Sequence, residues 1–204
     1  QNWLMYRGNY NGWGYSPLDQ INAGNVKKLK LAWSSATGST EGHQSPPVVN
    51  NGYMYVTTPN AQVIALNAAT GQEIWRFKHE LPADLLVLHN TNRGVALYGD
   101  KVYVATVDSN LFALDATTGK VVWKATVGDV KALSYITLAP LAAKGKIMVG
   151  SSGGETGIRG FVAAFDANTG KEAWRTYTTA APGEPGGDTW PDGAYKNGGA
   201  SVWI

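Results

Sequence analysis

Short runs of apolar and polar residues, broken every few positions by Gly, Asn, Asp or Thr, run along most of this chain. Gln62-Val63-Ile64-Ala65-Leu66 and Asn110-Leu111-Phe112-Ala113-Leu114 read as strands. A second set, 52–56, 101–105 and 146–150, precedes them. A third, 47–49 and 94–97, comes before that. No long stretch places apolar residues at the helical spacing of 3.6, so helix is a minor component.

The runs repeat. Ala65-Leu66-Asn67-Ala68-Ala69-Thr70-Gly71-Gln72-Glu73-Ile74-Trp75 returns as 113–123 and again as 164–174. Trp75, Trp123 and Trp174 stand 48 and 51 positions apart. Trp33, 42 positions before Trp75, reads as a first, degenerate copy. Within each copy, Asn or Asp followed by Thr-Gly is turn chemistry. The side chain can bond backbone two residues on, and Gly accepts a positive φ. Four short strands in about 50 residues predict a propeller blade. The repeated Trp then packs one blade on the next. The fold class is all-β, a partial propeller of three to four blades. A closed ring needs at least about four blades, so residues 1–204 are expected to be one domain, a fragment with open edges.

Composition agrees with that picture. Hydrophobic residues make up 44% and charged residues 16% of 204, with 25 Gly, 8 Trp and 10 Tyr. This suits a packed, turn-rich β protein. A net charge of +2 without a basic block excludes nucleic acid as the expected partner. With no Cys there is no disulfide, thiolate metal site or thiol nucleophile in this stretch. No apolar run has the length to span a bilayer. The first residues show no leader, and a leader already removed would leave no trace. His43, His79 and His89 lack metal-ligand spacing, and no Gly-x-Ser-x-Gly elbow is present.

The repeat, together with Asn92-Arg93-Gly94, the Gly-rich segment 150–160 and Gly198-Gly199-Ala200-Ser201-Val202-Trp203, resembles the pyrroloquinoline quinone (PQQ)-dependent alcohol dehydrogenases. The repeat is similar to their tryptophan-docking motif, and 3–33 to their opening segment. The resemblance implies an eight-bladed propeller. It implies a periplasmic enzyme that oxidises an alcohol to an aldehyde or ketone, with PQQ taking two electrons beside a Ca²⁺ or lanthanide ion. It further implies an electron acceptor such as cytochrome c and allows a homodimer at full length. The general-base Asp, and the Asn and Asp that complete the metal site, are expected beyond Ile204. Propellers with the same repeat also serve as non-catalytic scaffolds, which is the alternative reading. Scaffolds lack the Gly-Gly-Glu loop and the Asn-Arg-Gly motif.

By this resemblance Arg93 holds an acidic edge of the cofactor, since guanidinium pairs with carboxylate through two parallel bonds. Read without it, Arg93 is a surface cation paired with some Asp. Ser152, Gly153 and Gly154 would contact the quinone, Gly allowing close approach, and Glu155 would ligate the metal. Without the resemblance they form a flexible loop with an exposed Glu. Trp203 would stack on the quinone plane, with Ser201 and Thr137 as hydroxyl contacts. Otherwise Thr137 is a plain strand residue and Trp203 a packing Trp, although no Asp-x-x-Thr-Gly precedes it. Gln44 stands where relatives commonly have Glu and can donate to a carboxylate. Val87 and Leu88 stand where many relatives carry adjacent Cys, so aliphatic side chains would cover that face of the quinone. The Gly/Pro-rich stretch 182–199 reads as a long inter-blade loop that could cover the pocket.

Overall fold

A computed structural model describes residues 2–203 and contains three four-stranded antiparallel sheets. The first holds β1 (Val48–Asn50), β2 (Tyr53–Thr58), β3 (Gln62–Asn67) and β4 (Glu73–Lys78). The second holds β5 (Ala96–Tyr98), β6 (Lys101–Ala105), β7 (Asn110–Asp115) and β8 (Val121–Thr126). The third holds β9 (Leu141–Ala143), β10 (Lys146–Gly150), β11 (Phe161–Asp166) and β12 (Glu172–Tyr177). In each, the strands lie side by side in chain order. These are the propeller blades that the repeat predicts. Among the described residues, helix is confined to single 3-10 turns such as Val130–Ala132. Residues 29–33 form no strand, so Trp33 is a copy of the repeat in its packing only.

Side-chain alternation sets the core. Val63, Ala65, Val102, Val104 and Leu114 meet between the first and second blades. Leu111, Ala113, Ile136, Ile147 and Val149 meet between the second and third. Both faces of the middle strands are covered, which explains why β3 and β7 read as nearly continuous apolar runs. The outermost strands β4, β8 and β12 expose most of their residues.

The turn residues account for the junctions between blades. Asp115 Oδ1 accepts the amides of Thr117 and Thr118 at 3.1 and 2.8 Å and both their hydroxyls at 2.8 and 2.7 Å. Asn67 and Asp166 accept the corresponding amides in their own turns. Gly71, Gly119 and Gly170 then take φ of 72, 70 and 71°. Each leaves a bare backbone patch on which the preceding Trp of the series lies. A Cβ at Gly119 would stand 2.6 Å from Trp75, one at Gly170 2.6 Å from Trp123, and one at Gly71 2.3 Å from Trp33. The indole N–H of Trp75 donates to Ala116 O at 3.0 Å, that of Trp123 to Ala167 O at 3.0 Å, and that of Trp33 to Ala68 O at 3.3 Å. A buried Tyr joins two of these carbonyls: Tyr55 Oη donates to Ala116 O and Tyr103 Oη to Ala167 O. Burial pushes both phenols up to about 12, so they remain donors at any ordinary pH.

Two outcomes follow for stability. Gly119→Ala meets both the left-handed backbone and the Trp75 ring, and should cost about 2–5 kcal/mol in denaturant unfolding. Gly99→Ala, at φ 59° with nothing within 4 Å, should cost only about 1–2 kcal/mol. Equal losses would mean that the indole does not need that bare backbone. The hydroxyl of Thr118, then that of Thr117, hold Asp115 at about 2, below its ordinary 3.8. Its contribution is therefore complete above about pH 4 and lost as pH falls toward about 2. Asp115→Asn copies Asn67 of the first blade and should flatten stability across that window in acid titrations followed by circular dichroism.

Candidate functional site

The loops entering β5 (79–95) and β9 (127–140), the loop from β10 to β11 (151–160) and the returning segment 198–203 meet at one end of the blades. They enclose a cavity of about 310 Å³, within the usual range for a small-molecule site. Gln44, Arg93, Thr137, Ser152, Gly153, Glu155, Ser201 and Trp203 all line it. Gly154 does not, although it lies between two residues that do. A larger cavity, about 480 Å³, runs along inner strands β5 and β9. Its walls are mostly apolar, with Asn9, Tyr10, Tyr98 and Lys144 as the polar side chains and no carboxylate or His among them.

Asn92 and Gly94 fix Arg93. The buried Asn92 amide donates to Ala105 O at 2.8 Å and accepts Gly94 N–H at 2.9 Å. Gly94 turns the chain at φ 127°. The Arg93 backbone N–H donates to Thr137 O at 3.1 Å. Its Nη1 donates to Thr137 O and Trp203 O, both at 3.3 Å, and the guanidinium lies 4.7 Å from the Trp203 ring centre. Nε and Nη2 retain their protons without a partner, and no carboxylate pairs with Arg93 among the described residues. Burial lowers its pKa, with the nearby Tyr135 acting in the opposite sense. An Arg side chain still stays charged. Below this loop, His79 Nε2 lies 2.7 Å from Asp108 Oδ2, tying the loop's first residue to the second blade.

The hydroxyl protons in the wall can be placed by counting. Thr137 Oγ1 donates to the Trp203 carbonyl at 3.1 Å, since a carbonyl can only accept. Thr137 and Ser152 hydroxyls lie 2.9 Å apart. With the Thr137 proton engaged, Ser152 is the donor in that pair. Neither hydroxyl then has a proton left for the cavity.

The glycines of 150–160 receive the chain's own returning segment. A Cβ at Gly150 would meet Val202 at 2.5 Å, one at Gly160 would meet Ala200 O at 2.3 Å, and one at Gly154 would meet Ser201 Oγ at 3.0 Å. Val202 N–H donates to Ser151 O at 2.8 Å, and Gly160 N–H to Gly199 O at 3.2 Å. A Cβ at Gly153 would strike Leu133 O at 2.3 Å. Gly154 thus seats Ser201 and keeps the loop close. Glu155 and Gln44 are exposed on the rim. Leu88 lines the cavity, while Val87 does not. Residues 182–199 stay off the wall, held partly by the Arg159–Glu184 ion pair. Among the described residues no three His, Asp or Glu side chains gather as a metal site.

His89, Thr91 and Tyr135 also line the cavity and escape the sequence reading. The signal for them is alternation. In an extended segment residues i and i+2 share a face, as 201 and 203 do on this wall. Stepping back by two from Arg93 gives Thr91 and His89, and from Thr137 it gives Tyr135. The intervening Ile136 and Leu138 enter the core.

Residues 3–204 match the profile of the PQQ-containing glucose/ethanol/alcohol dehydrogenase β-propeller domain. The chain is 42% identical to quinohemoprotein alcohol dehydrogenase ADH IIB of Pseudomonas putida, over 98% of this chain and 31% of that protein. It is 36% identical to methanol dehydrogenase [cytochrome c] subunit 1 of Methylorubrum extorquens, over 99% of this chain and 37% of that protein. It superposes on a europium-containing methanol dehydrogenase with a TM-score of 0.91 and 36% identity, over 99% of this chain and 39% of the other. The chain therefore spans about a third of the length of the relatives it matches.

Thr137→Val should remove both the bond to Trp203 O and the acceptor for Ser152, costing about 1–3 kcal/mol. Amide exchange at Val202 should quicken, because the returning segment loses an anchor. Unchanged exchange there would mean that Thr137 does not hold it.

Proposed function

The chain belongs to the glucose/ethanol/alcohol dehydrogenase β-propeller family, and on that premise we propose that residues 1–204 supply part of the propeller and cofactor site of a PQQ-dependent alcohol dehydrogenase. The observation that carries this is Arg93. A partly buried guanidinium keeps two donor groups free, lacks an acidic partner and faces a cavity that also presents Ser201 and an indole. That donor set fits a flat, multiply carboxylated ring system, since Nε and Nη2 suit one carboxylate edge. Trp203 offers a broad face for stacking. Gly153 keeps the wall low, and Thr137, Ser152 and Gly154 hold the Trp203 segment in place. Gln44 contributes an amide donor at the rim.

When bound, PQQ supplies the redox chemistry and takes two electrons from an alcohol as it becomes an aldehyde or ketone. The residues of this chain bind and orient it, and Leu88 shields one edge from water. Glu155 is the single carboxylate on the wall, whereas a hard cation such as Ca²⁺ takes six to eight oxygens. The described residues therefore do not build a metal site. In this reading Glu155 is one ligand of a Ca²⁺ or lanthanide ion, and the others, with the general-base Asp, come from outside them. The names of the relatives support cytochrome c as electron acceptor, and the reading places the enzyme in the periplasm.

Absorbance titration of PQQ tests it. Arg93→Ala should weaken binding about 10- to 100-fold, the scale of a charge-assisted bond. Arg93→Lys should fall between that variant and the natural protein, because it keeps the charge and loses the paired geometry. Equal affinity in all three proteins would remove Arg93 from the site and the reading with it.

A further inference from the structure

Tyr135 is only 4% exposed, yet its phenol has no hydrogen-bond partner among the described residues. The Oη is not sealed in the core either, because it is absent from the fully enclosed unpartnered side-chain atoms, Ser39, Thr57, Ser109, Ser134 and Thr179. It opens on the cavity that Tyr135 lines. The phenol also lies close enough to Arg93 and Glu155 to feel both charges.

The side chain is held from behind. Tyr135 O accepts Ser152 N–H at 2.7 Å, and its ring edge would stand 3.3 Å from a Cβ at Gly153. Its neighbours Ser134 and Ile136 are buried, so the ring has little freedom to turn outward.

Proton counting gives this hydroxyl its significance. Thr137 has already committed its proton to Trp203 O, and Ser152 its proton to Thr137 Oγ1. Of the buried hydroxyls on the wall, Tyr135 and Thr91 have a proton free for a ligand, and of the two it is Tyr135 that lies near both Arg93 and Glu155. A buried hydroxyl without a partner is costly, and native proteins rarely leave one so. Phenylalanine would fill the same space without that cost.

We infer that Tyr135 is a further cofactor-binding residue, donating a hydrogen bond to an oxygen of the bound quinone from the wall between Arg93 and Glu155. This rests on the PQQ reading. It goes beyond the residues that the resemblance supplies.

The test uses the full-length protein and two variants, Tyr135→Phe and Arg93→Lys, titrated with PQQ. Indole fluorescence and the cofactor absorbance band report binding, and thermal unfolding is measured without cofactor. Tyr135→Phe should bind PQQ about five- to tenfold more weakly and shift the absorbance band. Its cofactor-free unfolding temperature should be unchanged or higher, because the phenol has no protein partner to lose. Unaltered affinity and absorbance would overturn the inference while leaving the PQQ reading intact, provided that Arg93→Lys still weakens binding. A lowered unfolding temperature with unaltered affinity would make Tyr135 structural and also overturn it. Failure of the unsubstituted protein to bind PQQ would overturn both.

Discussion

An indole laid on the bare backbone of a glycine joins each sheet of this protein to the next. The contact needs several things at once. Thr-Gly must turn with φ near 70°, so that no Cβ stands in the way. An Asp or Asn must hold that turn by accepting its amides. The Ala that follows must offer its carbonyl to the indole N–H. Burial of the large ring supplies the attraction, and the hydrogen bond fixes its orientation. Since the same contact recurs from Trp33, Trp75 and Trp123, successive sheets are set in a repeated relation. Trp174 occupies the same place in the third blade and is 44% exposed.

That repeated relation positions the site. The turns carrying the contact lie at one end of the blades, and the loops that enclose the cavity lie at the other. Fixing the sheets brings 79–95, 127–140 and 151–160 together, although they belong to different blades. The returning segment completes the wall by seating Ala200, Ser201 and Val202 on Gly160, Gly154 and Gly150. Arg93, Thr137 and Trp203 are then cross-linked through two carbonyls, so the cationic wall is set by protein contacts alone.

Much of this was legible in the sequence. The recurring Asn/Asp-x-x-Thr-Gly and Trp reveal the blades, and alternation places β2, β3, β6, β7 and β10 within a residue or two. Seven of the eight residues proposed to bind cofactor, with Glu155, do meet on one cavity. What was hidden is non-local or directional. Gly154 reads as a place where the backbone approaches the quinone, but Ser201, 47 residues away, occupies that space. The Thr137 hydroxyl reads as a contact to the cofactor, but its proton goes to a carbonyl that only folding brings near. Tyr135 was within reach of the period-two pattern. It was missed because the sequence reading stopped at Thr137.

The structure of the full-length protein with PQQ bound, at a resolution that shows the ring plane, tests the account most directly. The quinone should lie inside the 310 Å³ cavity, with a carboxylate on Arg93 and the blades still locked indole to glycine. A quinone bound elsewhere, or one that reaches this cavity without touching Arg93, would contradict it.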